Sequence, residues 1–291
     1  MENTAAELVQ RVSKLISPPE VWLRINELVE DPTASVADIA RVAERDPGLT
    51  SGVLKIVNSA YYGFTAPVDT VTRAVTLLGC RELHAIATTV AAAKVFNRIP
   101  NNLVRPDTFW RHSLCTAVLA KRLAVQIGVL HPERLYVAGL LHDVGHVVLY
   151  NQDPAAAAEL LLASDGDEEI MPDLERERFG FDHAELGGEL ARCWRLSDNL
   201  AETIRWHHDP LRAEETVLDA AIVHFANVLA NREPIGMFAE GFEPEIWVAD
   251  PAATRLLGQM SQDLEGITEG LEQEVMRAVA LMIPPPRRRR E

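Results

Sequence analysis

Apolar side chains recur at the spacing of an α-helix along almost the whole chain. In the first hundred residues, stripes of this kind begin at Leu8, Val21, Val36, Leu49 and Val71. Residues three and four apart share one face of a helix, so each stripe predicts an amphipathic helix with one buried side. The sequence contains no alternating strand pattern of useful length and no internal repeat. The pattern therefore predicts an all-α fold.

Residues with capping preferences mark several helix ends. Ser35 is placed as an N-cap, and the pair Asp46–Pro47 ends one helix and begins the next. Gly79 ends the helix that begins at Val71, since glycine accepts the backbone conformation at a helix terminus. Asp182 is a further N-cap and predicts that His183 lies in the first turn of a helix.

The second half of the chain continues the helical pattern after a break. Asn97–Asp107 is rich in proline and asparagine and predicts a linker. One helix is expected from Trp110 to Gln126 and another, uninterrupted, from Glu133 to Tyr150. Glu233–Pro251 predicts irregular structure, and the stripe from Leu264 to Val279 predicts one last amphipathic helix.

The segment Asn58–Gly63 follows the helix that begins at Leu49. It has two interpretations, a helix cap in which Gly63 takes a left-handed turn, or a joint or partner surface. In either case Leu54 and Val57, on the preceding helix, are expected to be buried beside the helix Val71–Leu78.

Composition and charge narrow the class of protein. Of 291 residues, 47% are hydrophobic, 24% are charged and 6% are aromatic, so aliphatic residues must form most of a sizeable core. The net charge of −15 argues against general binding to nucleic acid or to anionic membranes. The tail Arg287–Arg290 is a basic exception. We expect it to be a solvated, disordered end, and contact with nucleic acid is the alternative.

The three cysteines indicate a reducing compartment. Cys80, Cys115 and Cys193 are odd in number and far apart, which fits neither a disulfide framework nor a CxxC metal site. Each has apolar neighbours, which predicts a small buried side chain. The N-terminus lacks a secretory pattern, and the longest apolar run, Ala85–Ala93, is too short to span a bilayer. We therefore expect a cytoplasmic protein without a membrane partner.

The histidines carry the candidate chemistry, and eight of the nine follow the Asn97–Asp107 stretch. His142 and Asp143 are adjacent within an apolar segment, where burial of either group without a partner is costly. A metal ion would offset that cost, and a hydrogen-bonded pair in the core is the alternative. Gly139 and Gly145 flank the pair and would let another backbone or a ligand approach closely.

Three other places carry imidazoles that can reach the same site. His112 lies near the start of a helix, His183 in a first turn, and His207 and His208 near a helix end. Each by itself is more often a core or surface histidine. Together the four places supply five imidazoles and one carboxylate, which suit one or two ions of Fe, Mn, Zn or Ni. The candidate metal ligands are His112, His142, Asp143, His183, His207 and His208.

These motifs resemble a known family. The second half is similar to the HD superfamily of metal-dependent phosphohydrolases. The chain from about Ile16 to about Ala230 resembles more specifically the HDOD domain, the HD-related output domain of bacterial signalling systems. The segments that carry the resemblance are Asp46–Thr50, Val53–Gly63, Ala74–Gly79, Phe109–Ser113, Gly139–Gly145, Gly180–Gly187, Trp194 and His207–Pro210.

The resemblance implies a two-lobed helical HDOD fold with an HD-like C-terminal lobe. We expect an N-terminal helical lobe at residues 1–100, an HD-like lobe at 101–232, a helical extension at 233–283 and a disordered basic tail at 284–291. In HD phosphohydrolases the metal is bound by an early His, a His–Asp pair and a late Asp. These correspond here to His112, the pair His142–Asp143 and, in place of the late Asp, Asn227.

The chain departs from the catalytic members of the superfamily at three points. Related cyclic-di-GMP phosphodiesterases add histidines, which match His183, His207 and His208. However, the glycine-rich GYP segment is missing after His208, and His146 replaces a commonly found lysine. Asn227 has no charge to offer a metal. HDOD proteins are generally regarded as regulatory, so the resemblance implies a noncatalytic signalling module and no catalytic residue.

The sequence and the resemblance therefore support two alternative functions. The first is a regulatory HDOD module that binds a partner or ligand through a degenerate HD-type site, with a signalling protein as the expected partner and a nucleotide as a further ligand. The alternative is a metal-dependent phosphohydrolase or phosphodiesterase that acts on a nucleotide or cyclic dinucleotide. In both, a divalent metal is the expected cofactor, and nucleic acid is not an expected partner.

Overall fold

The computed structural model describes residues 4–12, 18–59, 62–96, 104–165, 167–237, 257 and 265–282. Within these ranges every regular element is a helix, so the all-α prediction is confirmed. No helix in the described ranges is long and apolar enough to cross a membrane.

Six helices form the first part of the fold. They are α1 (Ala5–Val12), α2 (Glu20–Glu30), α3 (Val36–Ala43), α4 (Pro47–Val57), α5 (Val71–Leu78) and α6 (Cys80–Phe96). The predicted caps are present, because Ser35 forms a reciprocal capping box with Asp38 and the Asp46 carboxylate accepts from two backbone N–H groups of α4. The long helix α6 packs against α2, α4 and α5.

The second part is built on α7. Its helices are α7 (Pro106–Gln126), α8 (Glu133–Leu141), α9 (Val144–Gln152), α10 (Pro154–Ser164), α11 (Met171–Phe179), α12 (His183–Cys193), α13 (Asp198–Arg205) and α14 (Val217–Arg232). Helix α7 packs against α8 and α14, and its Phe109 and Trp110 are fully buried. Two further helices, α15 (Glu265–Thr268) and α16 (Leu271–Met282), lie against α7 as well.

The two parts share an apolar core. Helix α6 packs against α7 and α8, and α1 crosses to the second part, where it packs against α12 and α9. In the first part, the Trp22 indole N–H donates to the Thr88 hydroxyl over 3.0 Å and its ring stacks on His84. Burial lowers the pKa of His84 to about 4, so this histidine is a neutral core residue. The predicted division at Asn97–Asp107 remains a prediction, since residues 97–103 lie outside the described ranges.

The expectation of one helix from Glu133 to Tyr150 is wrong. Helix α8 ends at Leu141 and α9 begins at Val144, with a turn at the His–Asp pair. The turn brings Gly145 against the start of α12, where a Cβ on Gly145 would lie 1.9 Å from the carbonyl oxygen of His183. The helix is interrupted because a straight continuation would not direct α9 along α12.

Three smaller expectations also need correction. The last stripe forms two helices, because Gly270 takes a left-handed conformation (φ +67°) between α15 and α16. Leu54 is half-buried, whereas Val57 is fully buried as expected. Cys115 is buried and Cys80 partly so, but Cys193 is exposed because it is the last residue of α12, where the helix reaches solvent. Leu264 and the tail 284–291 lie outside the described residues.

The side chain of Asn58 caps the end of α4 and holds the backbone at Val68. Its side-chain amide donates to the carbonyls of Leu54 (2.8 Å) and Val68 (2.7 Å), and its carbonyl accepts from the Val68 N–H (2.7 Å). Gly63 takes the left-handed conformation, with φ of +61°. The capping interpretation therefore accounts for Asn58 and Gly63, while Ala60 and Tyr61 lie outside the described residues.

We predict that two leucines on α4 differ in their cost of truncation. Leu49 is fully buried, so Leu49→Ala should lower the free energy of unfolding by about 2–5 kcal/mol. Leu54→Ala, the same change on the same helix at a half-buried position, should cost clearly less. Chemical denaturation of both variants measures the difference, and equal costs would show that the Leu49 face is not core.

Gly145 should tolerate no side chain. Gly145→Ala should strongly destabilise the protein or prevent folding, because its Cβ would overlap the backbone of α12. Gly266→Ala is the matched control, since no atom lies within 4 Å of a Cβ placed there. Thermal melts of the two variants test the prediction, which fails if Gly145→Ala melts like the wild type.

Candidate metal centre

Four structural elements deliver the six nominated side chains to one place. His112 lies on α7, the His142–Asp143 pair in the turn between α8 and α9, and His183 is the first residue of α12. The last two, His207 and His208, follow the end of α13. The Asp182 carboxylate caps α12 by accepting from the Glu185 N–H over 2.7 Å, as the sequence predicted.

The carboxylate of Asp143 lies at the centre of the cluster. Its Oδ2 is 3.2 Å from His142 Nε2 and 3.4 Å from His112 Nε2. Its Oδ1 is 3.4 Å from His183 Nε2 and 3.8 Å from His207 Nε2. His208 joins on one side, with its Nε2 2.9 Å from His183 Nε2. His208 is half-buried and the other five side chains are buried, so the cluster is enclosed by protein.

In four of the imidazoles the outer ring nitrogen, Nδ1, points away from Asp143 and forms a hydrogen bond to an oxygen acceptor. A carbonyl or carboxylate oxygen only accepts a hydrogen bond, so each Nδ1 must carry its proton. In the neutral ring this leaves the Nε2 lone pair directed toward Asp143. The acceptors are Gly236 O for His112 (2.8 Å), Gly139 O for His142 (2.7 Å), Ile204 O for His207 (2.7 Å) and Glu175 Oε2 for His183 (2.7 Å).

This arrangement fits a cation. In their neutral forms His112 and His142 have no proton to share between Nε2 atoms only 3.3 Å apart. Asp143 Oδ2 and His207 Nε2 are buried without a hydrogen-bond partner in the described structure. Imidazole nitrogens and carboxylate oxygens are ligands for divalent transition metals, and an outward N–H held by an oxygen is usual for a metal-bound histidine. The residues present therefore fit a metal ion.

Burial and the neighbouring carboxylates of Asp143 and Glu175 set the pKa values of the imidazoles in the cluster. Burial opposes the charged form of His142, but the adjacent Asp143 carboxylate outweighs it and raises the pKa of His142. Burial likewise opposes the charge on His183, and Glu175 then raises the pKa of His183 to about 9. Burial and neighbouring imidazoles lower the pKa values of His207 and His208. A metal that binds here must displace protons from the cluster.

Glu175 and His146 belong to the centre although the sequence did not nominate them as ligands. Glu175 on α11 is buried, accepts from both the backbone N–H (2.8 Å) and Nδ1–H of His183, and lies 3.2 Å from His146 Nδ1. His146 stacks on His183 with ring centroids 3.9 Å apart. Burial opposes ionisation of Glu175, but His183 and His146 lower its pKa to about 2. Its charge therefore orients His183.

A second acidic side chain approaches from the loop before α11. On α14, His224, Asn227 and Asn231 share one face, and the His224 Nδ1–H donates to the His207 carbonyl over 2.8 Å. Asn231 donates to the buried Asn227 carbonyl (3.3 Å) and to Glu168 Oε2 (2.6 Å). Burial opposes the charged form of His142, and Asp143 is the main group that raises the pKa of His142. Glu168 raises this pKa further. The loop thus places a carboxylate beside the neutral Asn227.

Over 228 residues the chain is 29% identical to an uncharacterized protein of Treponema pallidum, a match that covers 77% of this chain and 44% of that protein. The chain thus spans less than half the length of this curated relative.

Two solved structures share the fold over nearly their whole length. One is an HDOD domain protein of unknown function from Geobacter sulfurreducens, with 26% identity, a TM-score of 0.74 and coverage of 96% of this chain and 97% of that one. The other is a candidate phosphohydrolase from Shewanella amazonensis, with 25% identity, a TM-score of 0.71 and coverage of 97% and 100%. The sequence profile of the HDOD domain matches residues 15–210, and the chain therefore belongs to the HDOD family.

Proposed function

We propose that the chain is a regulatory module of bacterial signalling that binds a divalent metal at its HD-type centre and does not hydrolyse phosphodiesters. The observation that carries the proposal is the convergence of imidazole Nε2 atoms on the two oxygens of Asp143, with the outer nitrogens held by acceptors. A signalling protein is the partner we infer, and a nucleotide is a further candidate ligand.

The ligand geometry supports one or two ions. His112 and His142 lie on the Oδ2 side of Asp143, and His183 and His207 lie on the Oδ1 side, with His208 next to them. One carboxylate can therefore serve both groups. Fe, Mn, Zn and Ni are the candidate ions from these ligand types. A bound ion would supply Lewis acidity, and the protein would supply its orientation through Glu175 and the backbone carbonyls.

Features around the ligands support regulation over catalysis. Phosphoryl transfer needs hydrogen-bond donors and positive charge where the phosphate oxygens lie. His146, at a position where related hydrolases commonly have lysine, is stacked on His183 beside Glu175. Asn227 is buried and neutral where those enzymes have a charged ligand.

The alternative, a metal-dependent phosphohydrolase, has one observation in its favour. All six side chains that match ligands of the catalytic relatives converge in this structure. The similarity to a candidate phosphohydrolase from Shewanella amazonensis is consistent with it. Turnover is therefore the measurement that separates the two functions.

We expect protein purified without chelator to contain metal, and metal removal to lower its melting temperature by several degrees. Asp143→Asn should lose the metal, because it removes the central charge. Asp165→Asn is the matched control, since this exposed residue has a left-handed backbone that asparagine accepts. Elemental analysis and thermal melts measure both effects. Metal-free wild-type protein that also fails to take up added Fe, Mn, Zn or Ni would overturn the metal centre.

The metal-loaded protein should not cleave bis(p-nitrophenyl) phosphate or a cyclic dinucleotide. The assay is run with each of the four metals in turn, and with Asp143→Asn as the background. Metal-dependent turnover that exceeds this background would refute the regulatory proposal and establish the phosphohydrolase alternative.

Glu168 should contribute to metal retention through its charge. Glu168→Gln should weaken metal affinity several-fold, because a carboxylate held by Asn231 near His142 favours a nearby cation. Glu169→Gln, the same change at the adjacent exposed residue, should leave affinity unchanged. Competition with a metal-binding dye measures both affinities. Equal affinities in the two variants would show that Glu168 does not act on the centre.

A further inference from the structure

A second site lies outside the metal centre, where the two parts of the fold meet α15 and α16. It is a cavity of about 420 Å³ lined by residues of α4, α6, α7, α8, α15 and α16, together with Ser59 and Tyr62. Its lining is mainly apolar and includes Ile56, Ile86, Val118 and Ala278. None of the six candidate metal ligands contributes to it. A volume of this size falls within the range of about 300–1,000 Å³ typical of small-molecule sites.

Polar side chains fix the walls of the cavity. Glu82 on α6 accepts from the Tyr62 hydroxyl through one oxygen and from Lys121 Nζ on α7 through the other, each over 2.7 Å. Tyr136 on α8 and Thr89 on α6 have hydroxyls 3.1 Å apart. These contacts join both parts of the fold around the cavity. They place a few oriented polar groups in an apolar lining, which is typical of a ligand site.

The charge of the lining differs from that of the whole chain. In the described part of the lining, Lys121, Arg122 and Arg277 stand against two carboxylates, Glu82 and Glu274, in a protein with a net charge of −15. Glu82 is paired with Lys121, and Glu274 is paired with Arg122 over 2.6 Å. Arg277 is exposed and forms no ion pair with any residue in the described ranges. Among the described residues, the cavity therefore offers one cation, Arg277, that no carboxylate neutralises.

We propose that this cavity binds a small amphipathic anion, with an apolar body in the cavity and a single carboxylate, phosphate or sulfonate beside Arg277. Burial of the apolar body supplies the affinity, and the arginine supplies a charge-assisted hydrogen bond to the anionic group. Two residues of the segment Asn58–Gly63, Ser59 and Tyr62, form part of the cavity wall and would contact this ligand.

Such a ligand would contact the helices that carry the metal ligands. Helix α7 bears His112 near its start and Lys121 farther along, and α8 bears Tyr136 and leads into His142. Arg122 also fastens α15 and the turn after it through the carbonyls of Ile267 (2.5 Å) and Glu269 (2.9 Å), and it fastens α16 through Glu274 (2.6 Å). A ligand in the cavity stabilises this arrangement of helices by an amount that grows with the logarithm of its concentration divided by its Kd, so the site is suited to receive a signal.

The test uses the full chain and two probes, the fluorescent anion 8-anilinonaphthalene-1-sulfonate and decanoate as its competitor. The wild type should bind the sulfonate saturably with one site per chain, and decanoate should displace it. Arg277→Glu should weaken binding at least tenfold. Arg73→Glu, the same reversal at an exposed arginine of α5 outside the cavity, should leave it unchanged.

A second variant tests the apolar part of the cavity. Ala278→Trp should place an indole in the space and abolish sulfonate binding, with thermal melts to confirm that the protein is folded. The metal content of Arg277→Glu and of Arg73→Glu should equal that of the wild type, which separates this site from the metal centre. The proposal is overturned if the wild type shows no saturable site, if Arg277→Glu binds like Arg73→Glu, or if folded Ala278→Trp binds normally. Because Arg277 is exposed, its variant decides the matter even if the tryptophan variant does not fold.

Discussion

A single buried carboxylate imposes the main constraint on this fold. Asp143 is 2% exposed, and an ion of this kind loses several kcal/mol of hydration, by order of magnitude, when it leaves water. Imidazoles from α7, the α8–α9 turn, α12 and the residues after α13 converge on it and offset that loss. The relative placement of these elements brings four imidazole Nε2 atoms to the two oxygens of Asp143, where a protonated imidazole or a metal ion would balance its charge.

Close backbone contacts make this convergence geometrically feasible. A Cβ at Gly139 would lie 2.9 Å from the Cα of Ala117, so α8 approaches α7 as closely as helix backbones allow. Gly145 permits the same proximity between α9 and the first residue of α12, which is His183. The glycines that flank the His–Asp pair therefore serve helix packing, and they bring His142 and Asp143 within reach of the other imidazoles. The burial of the Asp143 charge therefore depends on these glycines, because residues without a side chain let the helices come this close.

The sequence predicted some of these features well because they are local. Helical stripes and caps such as Ser35 and Asp182 depend on residues within one or two turns, and the histidine-rich positions nominated the six candidate ligands before the family resemblance matched them. The break between α8 and α9 could not be read, because an apolar run favours one continuous helix and the contact that interrupts it comes from α12. Glu175 was missed for a related reason. It lies in the charged segment of α11, where no apolar pattern indicates burial, and its partners come from α9 and α12.

The placement of α7 would let one module join the proposed metal centre to the proposed ligand cavity. The helix is buried along most of its length, contacts α6 from the first part, and carries His112 at one end and the cavity residues Val118, Lys121 and Arg122 toward the other. A closely packed helix moves as a unit, because its side chains have few alternative arrangements. A displacement of α7 at the cavity would therefore change the distance from His112 to Asp143. Asp143 is shared by all the imidazoles, so the occupancy of the metal centre would respond. Coupling of this kind would need no catalytic step, and under the proposed regulatory function it would give the enclosed centre a physical role.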